Sequence, residues 1–373
     1  MVHDAIKELI KVLDNEIQEN KIGKPLFEKP DYTTYPLNKN NFNVFQAKKS
    51  DRTIAYVDGG NIELLSAPNF SVQLNRVYFS MFQGEKRILP KKLPSRIEFF
   101  SAMLSKYENK ILNFEGYLFP VKPEFSTLLP NQADLKFNSN DPRITNTNIH
   151  RADISHVATI PRKFTEWTLS RYIMEQELNS NDILVMDSTL QTGFPNEIKI
   201  ANKNYAIAHK NNVIYTGLAK TCRLYTDTGL SLIGAINKVV ETEKINFPLW
   251  YIPIAECNGK FHQASIFFTK LHEKASNIFR FEINKTQADF LKGNKNLGTI
   301  FSDLAANSSD IGFLGYPYGL IDADHRARVR YEEIERYKMS ILASAANLPG
   351  VISKLRNHLG ATDAHITLNE LYG

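Results

Sequence analysis

The chain has 373 residues, 43% of them hydrophobic and 23% charged, with only two cysteines. Those proportions exclude global disorder, collagen-like repeats and a disulfide scaffold, and they leave enough apolar chain for a sizeable core. A formal net charge of +5 with a sequence pI near 8.9 permits a nucleic-acid partner without requiring one. Cys222 and Cys257 form no C-x-x-C pair, so a reducing, cytoplasmic setting is expected. No run approaches the length of a membrane span, and Met1-Val2-His3-Asp4 leads straight into a charged helix rather than a signal peptide.

In chain order, Val2, Ile6, Leu9, Ile10, Leu13 and Ile17 fall at three- and four-residue intervals, which predicts an amphipathic helix over 2–20. Pro25, Pro30 and Pro36 then mark an extended connector from Gly23 to Asn43, so that residues 1–50 read as a helical arm on a tether. Arg52 to Gly60 predicts a short apolar strand stopped by a glycine pair. Two further β-rich runs, 61–66 and 70–83, complete an antiparallel meander. From Glu85 to Glu98, Lys86, Arg87, Lys91, Lys92 and Arg96 oppose two acids, a pattern that serves either a phosphate-contacting loop or a solvated one.

Residues 97–107 read as helical, inside a helical and loop insertion spanning about 85–160. A helix is predicted over 162–178. The unbroken apolar run 182–187 predicts a buried strand, and further strands follow near 213–219, 249–257, 262–269 and 278–283. The last 55 residues read as helices, 320–338 and 339–355. Meander, helix, strand, strand, helix is the order of a ribonuclease H-like core: a mixed α/β sheet flanked by helices, with its first strand beside its fourth, here filling residues 51–373.

Asp58 and Asp187 each stand at the end of a predicted strand. If those strands are parallel neighbours, both carboxylates emerge at one sheet edge, where α/β sites tend to form. Converging carboxylates repel unless a cation joins them, and hard oxygen donors suit Mg²⁺ or Mn²⁺. The competing reading is that each aspartate merely begins a turn, for which Asp58-Gly59-Gly60 is well suited. Glu166, Glu175 and Glu177 on the preceding helix are candidates for a third ligand.

Five segments in order resemble the NurA nuclease family: Tyr56-Val57-Asp58-Gly59-Gly60, Leu184 to Leu190, Thr216 to Thr221, Phe267 to His272, and Gly315 to Asp324. The resemblance runs from about residue 52 to the C-terminus. It implies a Mn²⁺-dependent deoxyribonuclease (with Mg²⁺ as the alternative ion) that cuts single-stranded DNA internally and from the 5′ end. It further implies a homodimer that works in DNA end resection and double-strand-break repair with a HerA-type hexameric ATPase. By position, Asp58 and Asp187 match the family's metal-binding aspartates, and Glu175 its helical glutamate. Tyr316 matches the tyrosine of its Gly-Tyr-Pro-Tyr-Pro-Leu run, and Lys220 a strand-end lysine for phosphate contact or charge stabilisation.

The family's histidine falls on Asp324, which becomes the expected fourth ligand. His325, about 100° away round the helix, cannot simply substitute. Gly319 stands where the family has proline. Tyr316 and Tyr318 are read as stacking an unpaired base or as core, and Lys86 and Arg87 as DNA contacts. His365 is read as a surface histidine. Two other readings compete: a DNA-binding or assembly protein with a decayed metal site, and a related nuclease directed at RNA.

Overall fold

The computed structural model describes residues 2–16, 22–145, 151–355 and 357–359. Ile17 of the predicted stripe and His365 lie outside them. The protein is mixed α/β, its strands forming a large mixed sheet flanked by helices, and it divides into two compact units interleaved in sequence. One comprises residues 1–49, 188–190 and 217–317; the other comprises 50–187, 191–216 and 318–373.

The second unit is built on a long meander. Strand Ile54–Ala67 pairs antiparallel with Phe70–Gln83, which pairs with Arg96–Glu108, which pairs with Ile111–Pro120. The predicted break at Gly59-Gly60 is absent, because both glycines are places of close approach rather than turns. A Cβ at Gly59 would stand 2.4 Å from a Glu166 carboxylate oxygen, and one at Gly60 would stand 2.5 Å from the Ala327 carbonyl oxygen. The helix expected over 97–107 is a strand. Ile97, Phe99, Ser101 and Met103 are buried at every second position, a period of two rather than 3.6.

On the other side of Ile54–Ala67 lies Ile183–Met186, paired in parallel with Tyr56 opposite Val185 and Val57 opposite Met186. This is the parallel adjacency expected for the strands that lead to Asp58 and Asp187, although three further meander strands lie between them in sequence. Ile183 to Met186 are all at most 1% exposed, as a strand covered on both faces must be. Helix Ile160–Gln176 lies against the Gly59 face of the meander, and helix Tyr318–Ala327 against the opposite face that Tyr56 and Gly60 share.

The helix predicted over 320–338 is two, Tyr318–Ala327 and Tyr331–Ala346. The break has a chemical cause. Arg76 donates to the Arg328 carbonyl at 2.6 Å, taking an acceptor that a continuing helix would need, and the Glu333 carboxylate accepts from the Arg330 amide at 2.9 Å. Arg76 also grips Glu98 and Glu333 at 2.6 and 2.7 Å. The Arg76 hydrogen bond is the main force holding the Glu333 carboxyl down, to about 2.

The first unit carries helix Val2–Glu16, whose Val2, Leu9 and Ile10 are more than half exposed. The connector that follows is more than a tether. Tyr32–Thr34 and Asn43–Val44 both pair with strand Trp250–Gly259, and Leu37, Phe42 and Phe45 are buried. Trp250–Gly259, His262–Lys270 and Phe279–Asn284 form the antiparallel remainder of this unit.

Candidate metal centre

Register places the first two carboxylates. Val57 lies opposite Met186, so the next residue on each parallel strand, Asp58 and Asp187, arrives at the same level, and the Asp187 amide donates to the Val57 carbonyl at 3.0 Å. Asp187 directly follows its strand, as read from sequence. Asp58 does not end one: it is the fifth residue of a 14-residue strand.

Side chains alternate along a strand, so Asp58 shares its face with Tyr56 and Gly60. That face carries the helix Tyr318–Ala327, seated closely because two glycines permit it. A Cβ at Gly319 would stand 2.0 Å from a Tyr56 ring carbon, and Gly60 admits the Ala327 carbonyl. Gly319 is therefore the first turn of a helix pressed on an aromatic ring rather than an interchangeable turn residue. The Ser80 hydroxyl donates to the Gly319 carbonyl at 2.9 Å and pins the same end.

From this helix comes the third carboxylate. Asp58, Asp187 and Asp324 each offer an oxygen, and these oxygens all lie within 4.8 Å of one another. All three residues are half-buried. Asp58 Oδ1 accepts from the Gly59 amide at 2.7 Å, and Asp324 Oδ2 accepts from Arg328 Nη2 at 3.0 Å, one helical turn on. Three converging carboxylates are hard, acceptor-only donors of the kind Mg²⁺ and Mn²⁺ take, so the residues fit a divalent cation. The site adopts aspartate at the position where the family resemblance expects histidine.

The glutamates of the preceding helix do not join this group. Glu175 is exposed at the far end of its helix. Glu177 accepts from the amides of Lys91, Lys92 and Leu93 at 2.8, 2.6 and 2.7 Å, fastening the basic loop. Glu166 is buried against Gly59, paired with Arg162 and with Lys163 at 3.3 Å. Gly59 points to the sheet face opposite that of Asp58, which is why the helix brings its carboxylates to the wrong side of the strand for this group.

The other predicted positions are dispersed. Lys86 is exposed on the short strand Lys86–Ile88. Arg87 pairs with Asp322 and lies 5.3 Å from the centre of the Phe82 ring; the Asp322 and Tyr78 contacts outweigh burial and raise its pKa. Tyr318 is 41% exposed, edge-on to Phe82 at 5.6 Å. Tyr316 belongs to the first unit and is 1% exposed, stacked on Phe313 at 5.1 Å and edge-on to Phe279 at 5.0 Å. A ring so enclosed is core and offers no face to a base. Lys220, also of the first unit, follows Ile214–Ala219 with its Nζ 5.8 Å from the centre of that ring. His325, the next residue of the same helix, is exposed.

A parallel strand pair that presents two aspartates at one level, completed by a third from a covering helix, defines an α/β protein with a candidate acidic metal centre. The family model for the NurA domain matches residues 52–329, well over half of the chain, and the chain belongs to the NurA family. The match ends before the C-terminal region to which the sequence resemblance extended it. The crystal structure of the NurA nuclease from Sulfolobus solfataricus is similar at 13% identity, covering 92% of this chain and 95% of its own, with a TM-score of 0.49. A second NurA crystal structure is similar at 11% identity, covering 93% and 96%, with a TM-score of 0.46. No curated protein matches the sequence. No helix among the described residues is long and apolar enough to cross a membrane.

Proposed function

We propose that the protein is a Mn²⁺-dependent deoxyribonuclease, cutting single-stranded DNA internally and from the 5′ end, that acts as a homodimer in DNA end resection beside a HerA-type ATPase. The observation that carries the reading is the convergence of Asp58, Asp187 and Asp324 from three separate elements. Membership of the NurA family supports a nuclease.

In this reading the three aspartates hold the divalent ion, which would polarise a phosphodiester and lower the pKa of a water. The chain's own residues set the geometry. The parallel register fixes Asp58 and Asp187 side by side, and the close seat of helix Tyr318–Ala327 brings Asp324 over them. Arg328, hydrogen-bonded to Asp324, steadies that carboxylate and brings a guanidinium to the edge of the site, where a substrate phosphate would meet it. Lys220 is carried as a phosphate contact, and Lys86 and Arg87 as contacts to the DNA backbone.

The test is Mn²⁺-dependent cleavage of 5′-labelled single-stranded DNA by the wild type, Asp58→Asn, Asp187→Asn and Asp324→Asn. Each substitution replaces an anionic ligand by an amide of the same shape and should lower the rate by at least about a hundredfold. Glu175→Gln, in which the exposed helix glutamate is neutralised, should cut near the wild-type rate. Equal cleavage by wild type and Asp187→Asn would sink the assignment. Metal-independent DNA binding without cleavage by the wild type would instead favour the assembly reading.

A further inference from the structure

Beyond the carboxylates, the helix that carries Asp324 runs out into a groove of about 520 Å³ in the same unit. Arg76, Arg96, Arg326, Arg328, Arg330 and Arg336 line it, against only two acids, Glu332 and Glu333. Arg76 is its floor, 3% exposed and committed to Glu98 and Glu333. The others are at the surface. Arg96, Arg326 and Arg328 are 48%, 52% and 68% exposed while paired with Glu98, Asp322 and Asp324. Arg330 and Arg336 are exposed too.

Of these pairs, Arg328–Asp324 is open on both sides, its carboxylate 33% exposed, so solvent screens it and its guanidinium can also meet a phosphate; Glu98 and Asp322 are nearly buried, and Arg96 and Arg326 would meet a phosphate while keeping those partners. Arginine is also the side chain whose planar fork matches phosphate oxygens in pairs. The layout selects the shape of the anion. These guanidiniums come from a strand, a helix end, an extended link and the next helix, and five of them at the surface of one groove are more than a single phosphate group can pair with. That arrangement suits a chain of charges better than a single compact anion. One of its lining residues, Arg328, hydrogen-bonds Asp324, so the groove adjoins the group of three aspartates.

We propose that this arginine groove binds the phosphodiester backbone of single-stranded DNA on its way to Asp58, Asp187 and Asp324, with Arg326, Arg328, Arg330 and Arg336 as its phosphate contacts. The delivery step rests on the nuclease reading above; the binding itself does not.

The experiment measures binding of the full-length protein to a fluorescein-labelled oligo-dT in EDTA, so that no turnover enters, across a range of salt concentrations. The same-length oligomer with an uncharged methylphosphonate backbone is the control. Arg330→Ala/Arg336→Ala removes two surface guanidiniums, and a thermal melt checks that the variant is folded. Expected are wild-type binding to oligo-dT that weakens steeply with salt, and loss of binding to the methylphosphonate. The double variant should bind about tenfold more weakly, with a log–log salt slope shallower by about 1.4, the share of two phosphates on a single strand. Wild-type binding that ignores backbone charge, or a folded double variant with unchanged affinity and slope, would overturn the groove. Groove-dependent binding by a wild type that fails to cleave in Mn²⁺ would uphold the groove and overturn the nuclease reading, so the two failures are told apart.

Discussion

Gly60 has no side chain to contribute, yet the position of Asp324 depends on it. A Cβ at this position would stand 2.5 Å from the Ala327 carbonyl oxygen, a backbone atom that cannot swing aside as a side-chain tip can. Gly60→Ala must therefore push the end of helix Tyr318–Ala327 off the sheet, at a cost of about 1–3 kcal/mol for overpacking. Because Asp324 rides on that helix, a shift of about 1 Å should lower cleavage by roughly a hundredfold, more than the stability loss alone would produce. Melting temperature and cleavage rate measured on the same preparation test this. A variant destabilised but fully active would show that Asp324 is not placed by this contact. Gly59→Ala differs in kind, since its Cβ meets the Glu166 side chain, which can move within its pocket.

At the scale of elements, strands His262–Lys270 and Phe279–Asn284 enclose a charged cluster. His262 is 2% exposed and Glu282 fully buried, with His262 Nε2 2.9 Å from Glu282 Oε2, and Arg280 Nη2 2.6 Å from Glu282 Oε1. Tyr32, on the strand formed by the connector, places its hydroxyl 2.8 Å from His262 Nδ1, so the network also ties residues 32–34 down. Burial alone would lower the His262 pKa, but the charge of Glu282 and the bonds from Cys257 and Glu282 outweigh it and raise it to about 9. Burial alone would raise Glu282; Arg280 and His262 outweigh it and hold it at about 2.

The linkage follows from those directions. The protonated His262 contributes stability that is full below about pH 6.5, its unfolded value, and is lost as pH rises through about 9. The contribution of Glu282 is full above about 4.5 and is lost as pH falls toward 2. Melting temperature should therefore decline between pH 6.5 and 9.5 by an amount on the order of 3 kcal/mol in stability. His262→Gln should melt lower at pH 6 and show little of that decline. A wild-type curve flat to pH 10 would refute the pairing.

At the scale of the whole molecule, the helix Val2–Glu16 stands out among the described residues for its exposed apolar side chains. It turns apolar side chains outward, with Val2 77%, Leu9 56% and Ile10 58% exposed, whereas the connector behind it is bound into the sheet by two strands. Deletion of residues 2–16 should leave the melting temperature within about 1 °C, since surface changes cost little. If this helix is the docking arm for the HerA-type ATPase of the proposed function, the deletion should also leave DNA cleavage intact while abolishing capture of that ATPase in a pull-down. Capture that survives the deletion would move the partner's docking surface elsewhere. Deleting as far as residue 45 would be a different experiment, because it also removes Leu37 and Phe42 from the core.

What the sequence determined by itself was the part written in local pattern. The unbroken run Ile183 to Met186 declared a buried strand, Asp187 its end, and the order of motifs declared the family, down to the aspartate standing in place of a histidine at 324. The tertiary structure decided the rest, for three physical reasons. Whether a glycine pair turns or merely yields room depends on what packs against it, so Gly59-Gly60 continued its strand beneath Glu166 and Ala327. Whether Ile97 to Met103 follows a helical or a strand period was settled by pairing with Phe70–Gln83, a partner distant in sequence. Which face of a strand a carboxylate reaches depends on where its helix docks. That is why Asp324 met Asp58 and Asp187, while Glu175, the glutamate matched from the nearer helix, stands exposed at its far end and Glu166 of the same helix is held on the opposite face by Arg162 and Lys163.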